Sequence, residues 1–127
     1  MKKLRSLAAL FFLALAGGCA AFVHGGGQAR ILEVSRTVRY RGDVSGEQHE
    51  EFYVAWRGGG ITLVRFEYRQ LRVPNEVFAQ AYVPATRRWH VFVIGAEDLR
   101  KHGKVSAWRV TLWDGEKLLA EQKSALW

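Results

Sequence analysis

Apolar and polar residues alternate with a period of two along most of this chain, and that alternation predicts β-strands with one buried face. In the clearest run, residues 61–70, apolar side chains occupy one face and charged side chains the other. Similar runs recur at intervals of roughly ten residues, separated by glycine, proline or asparagine. The pattern therefore favours sheets, and it leaves no room for a long helix after residue 30.

Seven strands are expected, and the chain between them has the composition of turns. The strands are predicted at residues 31–41, 50–57, 61–70, 77–83, 88–94, 104–113 and 116–127. A single helical turn is expected at 96–102, ended by Gly103. Asp114-Gly115 lies between the last two runs and favours a type I′ hairpin.

An all-β chain of this length, with about seven short strands, predicts one antiparallel β-sandwich of immunoglobulin-like or fibronectin type III-like architecture. A small β-barrel is the alternative, because strand number alone does not separate the two. Trp56 and Trp108 are candidates for the aromatic side chain that fills the space between the sheets. Arg36 interrupts the apolar face of the first strand and indicates a sheet edge or a bulge.

The first nineteen residues have a different character. Lys2, Lys3 and Arg5 precede an uncharged apolar run at 7–16, which has the length of a signal-peptide core and is too short to span a bilayer. Gly17-Gly18-Cys19 closes the run, and Cys19 is the single cysteine of the chain. This arrangement resembles the signal peptide and lipobox of a bacterial lipoprotein.

The resemblance implies cleavage before Cys19, a diacylglycerol on its thiol and an acyl group on the new amino terminus. It divides the chain into a signal peptide at 1–18, a lipidated cysteine with a flexible glycine-rich tether at 19–30, and a β-sandwich domain at 31–127. Ala20 and Ala21 follow the cysteine, which is typical of outer-membrane lipoproteins that face the periplasm. The alternative is cleavage after Ala14-Leu15-Ala16, which would leave a soluble periplasmic protein.

Charge and cysteine content narrow the range of partners. The chain carries a net charge of +7, and removal of the three signal-peptide cations leaves +4 of mixed sign. Such a surface does not resemble the continuous basic stripe of nucleic-acid-binding proteins, so no nucleic-acid partner is expected. A single cysteine allows no internal disulfide. The expected partners are the membrane, through the lipid on Cys19, and an envelope protein, while the oligomeric state stays open.

The polar residues do not follow the sequence patterns of catalytic or metal-binding motifs. The four histidines have neither the helical spacing nor the paired cysteines of a metal site, and no serine lies in a G-x-S-x-G context. We therefore expect no catalytic residues, no metal and no cofactor apart from the lipid. A non-catalytic protein-binding or accessory role is the leading expectation, ahead of a glycan-binding or peptidoglycan-binding module and, more distantly, a small hydrolase.

Two sets of residues are candidates for binding. Arg65, Arg69 and Arg72 lie on or beside the charged face of the third strand and predict a docking surface for an acidic partner, with Arg57 and the strand of Gln80 as neighbours. The alternative is a solvated face with weak cross-strand ion pairs. Trp113 and Trp127 are candidates for a glycan-stacking platform, or they meet across the final hairpin and close one end of the sandwich.

Overall fold

The computed structural model describes residues 27–40 and 47–127. The predictions for the signal peptide, for Cys19 and for the tether up to residue 26 lie outside these ranges. So does most of the loop predicted at 42–48, although Gln48 already belongs to a strand. The elements in order are β1 (Arg30–Tyr40), β2 (Gln48–Arg57), β3 (Leu63–Gln70), β4 (Val73–Tyr82), β5 (Trp89–Ile94), α1 (Ala96–His102), β6 (Val105–Asp114) and β7 (Lys117–Lys123).

The strands form two antiparallel sheets rather than a closed barrel. One sheet has the order β1-β2-β5 and the other the order β4-β3-β6-β7. The β-sandwich prediction is confirmed. In an immunoglobulin constant domain the fourth strand joins the first sheet, whereas here β4 pairs with β3 in the second sheet.

The core lies between the sheets and is built from the apolar faces that the alternation predicts. Phe52 from β2, Phe66 from β3 and Phe92 from β5 meet at its centre, with ring centroids 4.7 Å and 5.2 Å from Phe66. Trp56 is buried at one end of this cluster, and Trp108 packs partly buried against it. Phenylalanines, rather than either tryptophan, therefore fill the middle of the sandwich.

The first strand is an edge strand and carries a bulge, as Arg36 indicated. The bulge lies at Leu32, however, where the pairing with β2 shifts between Ile31 and Glu33. The extra residue turns Leu32 out to solvent and lets Ile31 pack against the core instead. Arg36 points inward because a buried carboxylate, that of Glu50, receives its guanidinium.

The fourth strand begins earlier than predicted, at Val73 rather than Val77. Pro74 and Asn75, predicted as a turn, lie inside the strand, and the turn falls at Leu71-Arg72. A proline is tolerated there because β4 is an edge strand and its outer side needs no amide donor. The sheet position, not the local sequence, decided this boundary.

The prediction of a type I′ turn at Asp114-Gly115 in the β6–β7 hairpin is wrong. Asp114 is the last residue of β6 and pairs with Lys117, so the two-residue loop is Gly115-Glu116. Gly115 has φ of 60°, and no residue other than glycine has positive φ in the described parts of the chain. Positive φ at the first loop residue alone is the pattern of a type II′ turn.

The helical prediction at 96–102 is confirmed residue for residue. Glu97 and Asp98 lie in its first turn and Arg100 and Lys101 in its last, which suits the helix dipole. Across residues 27–40 and 47–127, no helix combines the length and the apolar character that a membrane span requires.

Candidate functional site

The outer face of the four-stranded sheet carries arginines and tryptophans side by side. We call it the Arg–Trp face, and it comprises Arg65, Glu67 and Arg69 of β3, Arg109 and Trp113 of β6, and Trp127 of the segment after β7. The inward residues of β3 are buried, so the intervening residues of the strand face outward. The strand alternation thus positions half of this face directly.

Strand register sets the contacts of the face. Glu67 lies opposite Arg109, and Leu63 lies opposite Trp113 at the start of β3. The guanidinium of Arg65 reaches along the sheet and lies 5.4 Å from the centre of the Trp113 ring. The indole nitrogen of Trp113 donates a hydrogen bond of 2.8 Å to Oγ1 of Thr111, which holds the ring against the sheet.

Trp127 reaches the face because the last residues turn back over the sheet instead of continuing β7. The backbone amide of Ser124 donates to the carbonyl of Trp108 at 2.9 Å, and the Trp108 amide donates to Oγ of Ser124 at the same distance. The amide of Trp127 then bonds the Ser124 carbonyl at 3.2 Å. These bonds place the Trp127 ring 4.8 Å from the guanidinium of Arg69 and 5.5 Å from that of Arg109.

The three arginines of the face differ in charge balance. Nη2 of Arg109 lies 2.7 Å from Oε1 of Glu67, and its Nη1 lies 3.2 Å from Oε2 of Glu121. The hydrogen bond to Glu67 raises the pKa of Arg109. By contrast, no carboxylate of the described residues lies within 4.0 Å of Arg65 or Arg69. Their guanidinium groups lie over the aromatic rings of Trp113 and Trp127, which attract a cation through the ring quadrupole.

Arg69 has one further unusual feature. Its Nε atom is buried and has no hydrogen-bond partner in residues 27–40 and 47–127. A buried guanidinium nitrogen without an acceptor is costly, because it has lost its hydration without gaining a hydrogen bond.

The structure brings four of the five predicted binding residues together. Arg65, Arg69, Trp113 and Trp127 share the Arg–Trp face, although arginines and tryptophans were predicted as two separate sites. Trp113 pairs with Leu118 across the hairpin and not with Trp127.

The remaining predicted binding residue, Arg72, and the predicted neighbour Arg57 lie elsewhere. Arg72 follows β3 in the turn to β4, and its Nη1 donates to the carbonyl of Arg100 on α1. There it lines an open groove of about 590 Å³ together with Leu71, Leu99 and Lys104. Arg57 belongs to β2, in the other sheet.

Sequence reasoning missed Arg109 and Glu121, which complete the charge pattern of the face. Arg109 could have been found, because Trp108, Val110 and Leu112 were aligned on the inner face and the residue between them must point outward. Glu121 could not, since its place depends on the pairing of β7 with β6. The neighbours of the face in β4 are Ala79 and Ala81, so the strand of Gln80 adjoins the face as predicted. The side chain of Gln80 itself lies elsewhere and donates to the carbonyl of Val93 at 2.9 Å.

The described residues do not form a metal-binding cluster. No group of three or more histidine, cysteine, aspartate or glutamate side chains lies close enough together there to bind a metal ion. Comparison of the chain with protein-family models, with curated proteins and with solved structures finds no match.

Proposed function

We propose that this chain is a lipid-anchored protein of the bacterial envelope whose β-sandwich binds a partner protein through the Arg–Trp face. The anchor is proposed from the charged start, the apolar run and Cys19, which together resemble a lipoprotein signal. The role is non-catalytic, an accessory or adaptor function. The outer membrane, with the domain facing the periplasm, is the proposed location.

The uncompensated charge of Arg65 and Arg69 is the observation that supports protein binding. Both guanidinium groups stack on indole rings and lack a carboxylate partner in the described chain. Arginine and tryptophan are the residue types that most often dominate the affinity of protein interfaces, because they bury a large surface and also provide directed donors. The partner surface is therefore proposed to carry carboxylates opposite Arg65 and Arg69.

Glycan binding is the second candidate, because Trp113 and Trp127 lie on the same face. A sugar platform needs an aromatic ring with a free surface. Arg65 lies over the ring of Trp113, while Arg69 and Arg109 lie over that of Trp127. Sugar binding would have to displace these stacked cations, so protein binding is the better supported proposal.

Cross-linking in the native envelope, followed by mass spectrometry, tests the protein-binding proposal. We expect one dominant cross-linked partner, lost in the double variant Arg65→Gln/Arg69→Gln and kept in Lys101→Gln/Lys104→Gln. The control removes the same charge from two exposed positions, Lys101 in the last turn of α1 and Lys104 just after the helix. Equal capture of the partner by both variants would contradict a role for the face, and retention on peptidoglycan without a protein partner would favour the glycan alternative.

Labelling with radioactive palmitate tests the anchor separately. The chain is expected to incorporate label, and Cys19→Ala is expected to abolish it and to release the protein from the membrane fraction. Label that persists in Cys19→Ala would refute the assignment of Cys19. An unlabelled periplasmic protein would support cleavage at Ala14-Leu15-Ala16 instead.

A further inference from the structure

The described chain begins at one end of the sandwich. The connections between β2 and β3, between β4 and β5 and between β6 and β7 lie at the same end. Because the strands run antiparallel, the start of β1 lies beside the end of β2 and the start of β5. We call this the tether end, and it comprises residues 27–30, 57–62, 83–89 and 114–117. The end of β1 and the start of β2 lie at the opposite end of the sandwich, where α1 follows β5.

The chain is held firmly where it enters this end. The carbonyl of Gly27 accepts a hydrogen bond of 3.3 Å from the amide of Gly59. Gly58 is buried against Gln28 and Ala29 so closely that a Cβ atom on Gly58 would lie 2.4 Å from Cα of Ala29. Seven residues separate Cys19 from Gly27, and even fully extended they span only about 28 Å. A lipid on Cys19 would therefore keep the tether end close to the bilayer surface.

The tether end is basic: it carries five cations against the two carboxylates of Asp114 and Glu116. Arg30 and Arg57 lie directly opposite each other in the β1–β2 register, so two like charges share one face at a cost in stability. Exposed basic side chains at this end are also found at Arg87, Arg88 and Lys117. None of these five has a carboxylate within 4.0 Å among the described residues.

Apolar and aromatic side chains are exposed beside these cations. Trp89 is 41% exposed and lies 4.6 Å from the guanidinium of Arg87, and its ring stacks on Tyr53 at 6.0 Å. Trp89 points to the same outer face as Arg57, because it pairs with Ala55, two residues earlier in β2. Val83, in the connection before β5, is 71% exposed. Tryptophan beside arginine is typical of protein surfaces at the membrane–water interface.

We infer that the tether end docks on the surface of an anionic phospholipid bilayer, with Arg30, Arg57 and Arg87 over the head groups and Trp89 at the interface. The inference rests on the proposed lipid anchor, which supplies the proximity. Negative head groups would relieve the repulsion between Arg30 and Arg57, which no carboxylate of the described residues relieves. Docking through the outer face of the β1-β2-β5 sheet would orient the sandwich and direct the Arg–Trp face, on the outer side of the other sheet, away from the docked residues.

Vesicle sedimentation tests the docking without the anchor, using residues 19–127 with Cys19→Ser. Every described contact lies within this stretch, so its core is intact. We expect binding to phosphatidylcholine vesicles that contain phosphatidylglycerol and little binding to pure phosphatidylcholine. Arg30→Gln/Arg57→Gln removes a repulsive pair, so the variant is expected to fold, and it should weaken the partition about thirtyfold. Lys101→Gln/Lys104→Gln, beyond the opposite end, should change it little.

Tryptophan fluorescence gives a second measurement. Anionic vesicles should shift the emission of the protein to shorter wavelength, and Trp89→Phe should abolish most of the shift. Equal weakening by both double variants would show general charge attraction and overturn the docking site. Absence of binding to the anionic vesicles would overturn it as well, even if palmitate labelling supports the anchor. If the protein binds anionic vesicles but takes up no palmitate label, the lipid anchor alone is refuted, and the tether end is still a membrane-binding surface.

Discussion

The guanidinium of Arg36 reaches the buried carboxylate of Glu50, with Nη2 2.6 Å from Oε1. The Glu50 side chain is 1% exposed and also accepts a hydrogen bond of 3.3 Å from the amide of Val105. Arg36 is on β1, Glu50 on β2 and Val105 on β6, so this ion pair links the edge strand to both sheets. It also explains why an arginine occupies an inward position of the first strand.

Loss of Arg36 alone should be more harmful than loss of the whole charge pair. Arg36→Met leaves Glu50 buried without its partner and should lower the free energy of unfolding by about 2 kcal/mol, less than a fully buried pair because Arg36 is partly exposed. Arg36→Met/Glu50→Gln should recover part of that loss, since the glutamine keeps an oxygen for the Val105 amide. Urea denaturation measures both, and a double variant less stable than the single one would contradict this account.

Gly58 should tolerate no side chain. Its φ is 107°, and a Cβ would collide with the backbone of Ala29. Gly58→Ala should therefore destabilise the domain by about 2 kcal/mol or more and loosen residues 27–29. Gly95→Ala is the matched control, because nothing lies within 4 Å of its added Cβ, and it should change stability by less than about 1 kcal/mol. Thermal denaturation and amide exchange near Ala29 distinguish the two, and equal effects would contradict the close packing.

His90 should make the domain less stable in mild acid. Burial, and then the positive charge of Arg87, lower the pKa of His90. Nη2 of Arg87 donates to Nδ1 of His90 at 2.9 Å, which requires an unprotonated nitrogen, and the ring stacks on Tyr82 at 4.0 Å. Because the unfolded chain takes up the proton first, the free energy of unfolding should fall as the pH drops below about 6.5, the ordinary pKa of histidine.

An NMR titration of His90 should give a pKa below that ordinary value, and Arg87→Gln should raise it. His90→Phe keeps an aromatic ring in the stack and should reduce the loss of stability between about pH 7 and pH 5. A pKa at or above the ordinary value, or an unchanged pH dependence in His90→Phe, would contradict the assignment.

Gln70 should anchor the segment that contains α1. Its side chain is fully buried at the end of β3, and its Nε2 donates to the carbonyl of Gly103 at 2.9 Å. Gln70→Leu removes this bond and leaves a carbonyl without its donor, at a cost of about 1–2 kcal/mol. Gln80→Leu removes a similar bond to Val93 near the surface, where water replaces it, and should cost less. Amide exchange in α1 should accelerate in the first variant alone, and equal acceleration would refute the anchor.

Much of the fold followed from local patterns. Residues 61–70 alternate so regularly that the burial of Val64, Phe66 and Tyr68 could be predicted, and the helix at 96–102 was marked by Gly103 at its end. Boundaries that depend on sheet position could not be predicted in this way. β4 includes Pro74 because its outer edge is unpaired, and the final hairpin turns at Gly115-Glu116 because Asp114 still pairs with Lys117.

The sequence by itself determined which residues alternate, and therefore that Arg65 and Arg69 share an outward face. It also determined the cationic start and the single Cys19, on which the proposed anchor depends. Tertiary structure alone decided that Arg109, 42 residues from Glu67, would pair with it, and that Trp127 would lie over Arg69. Alternation is fixed by backbone geometry within a strand, whereas strand order depends on how all the apolar faces pack together.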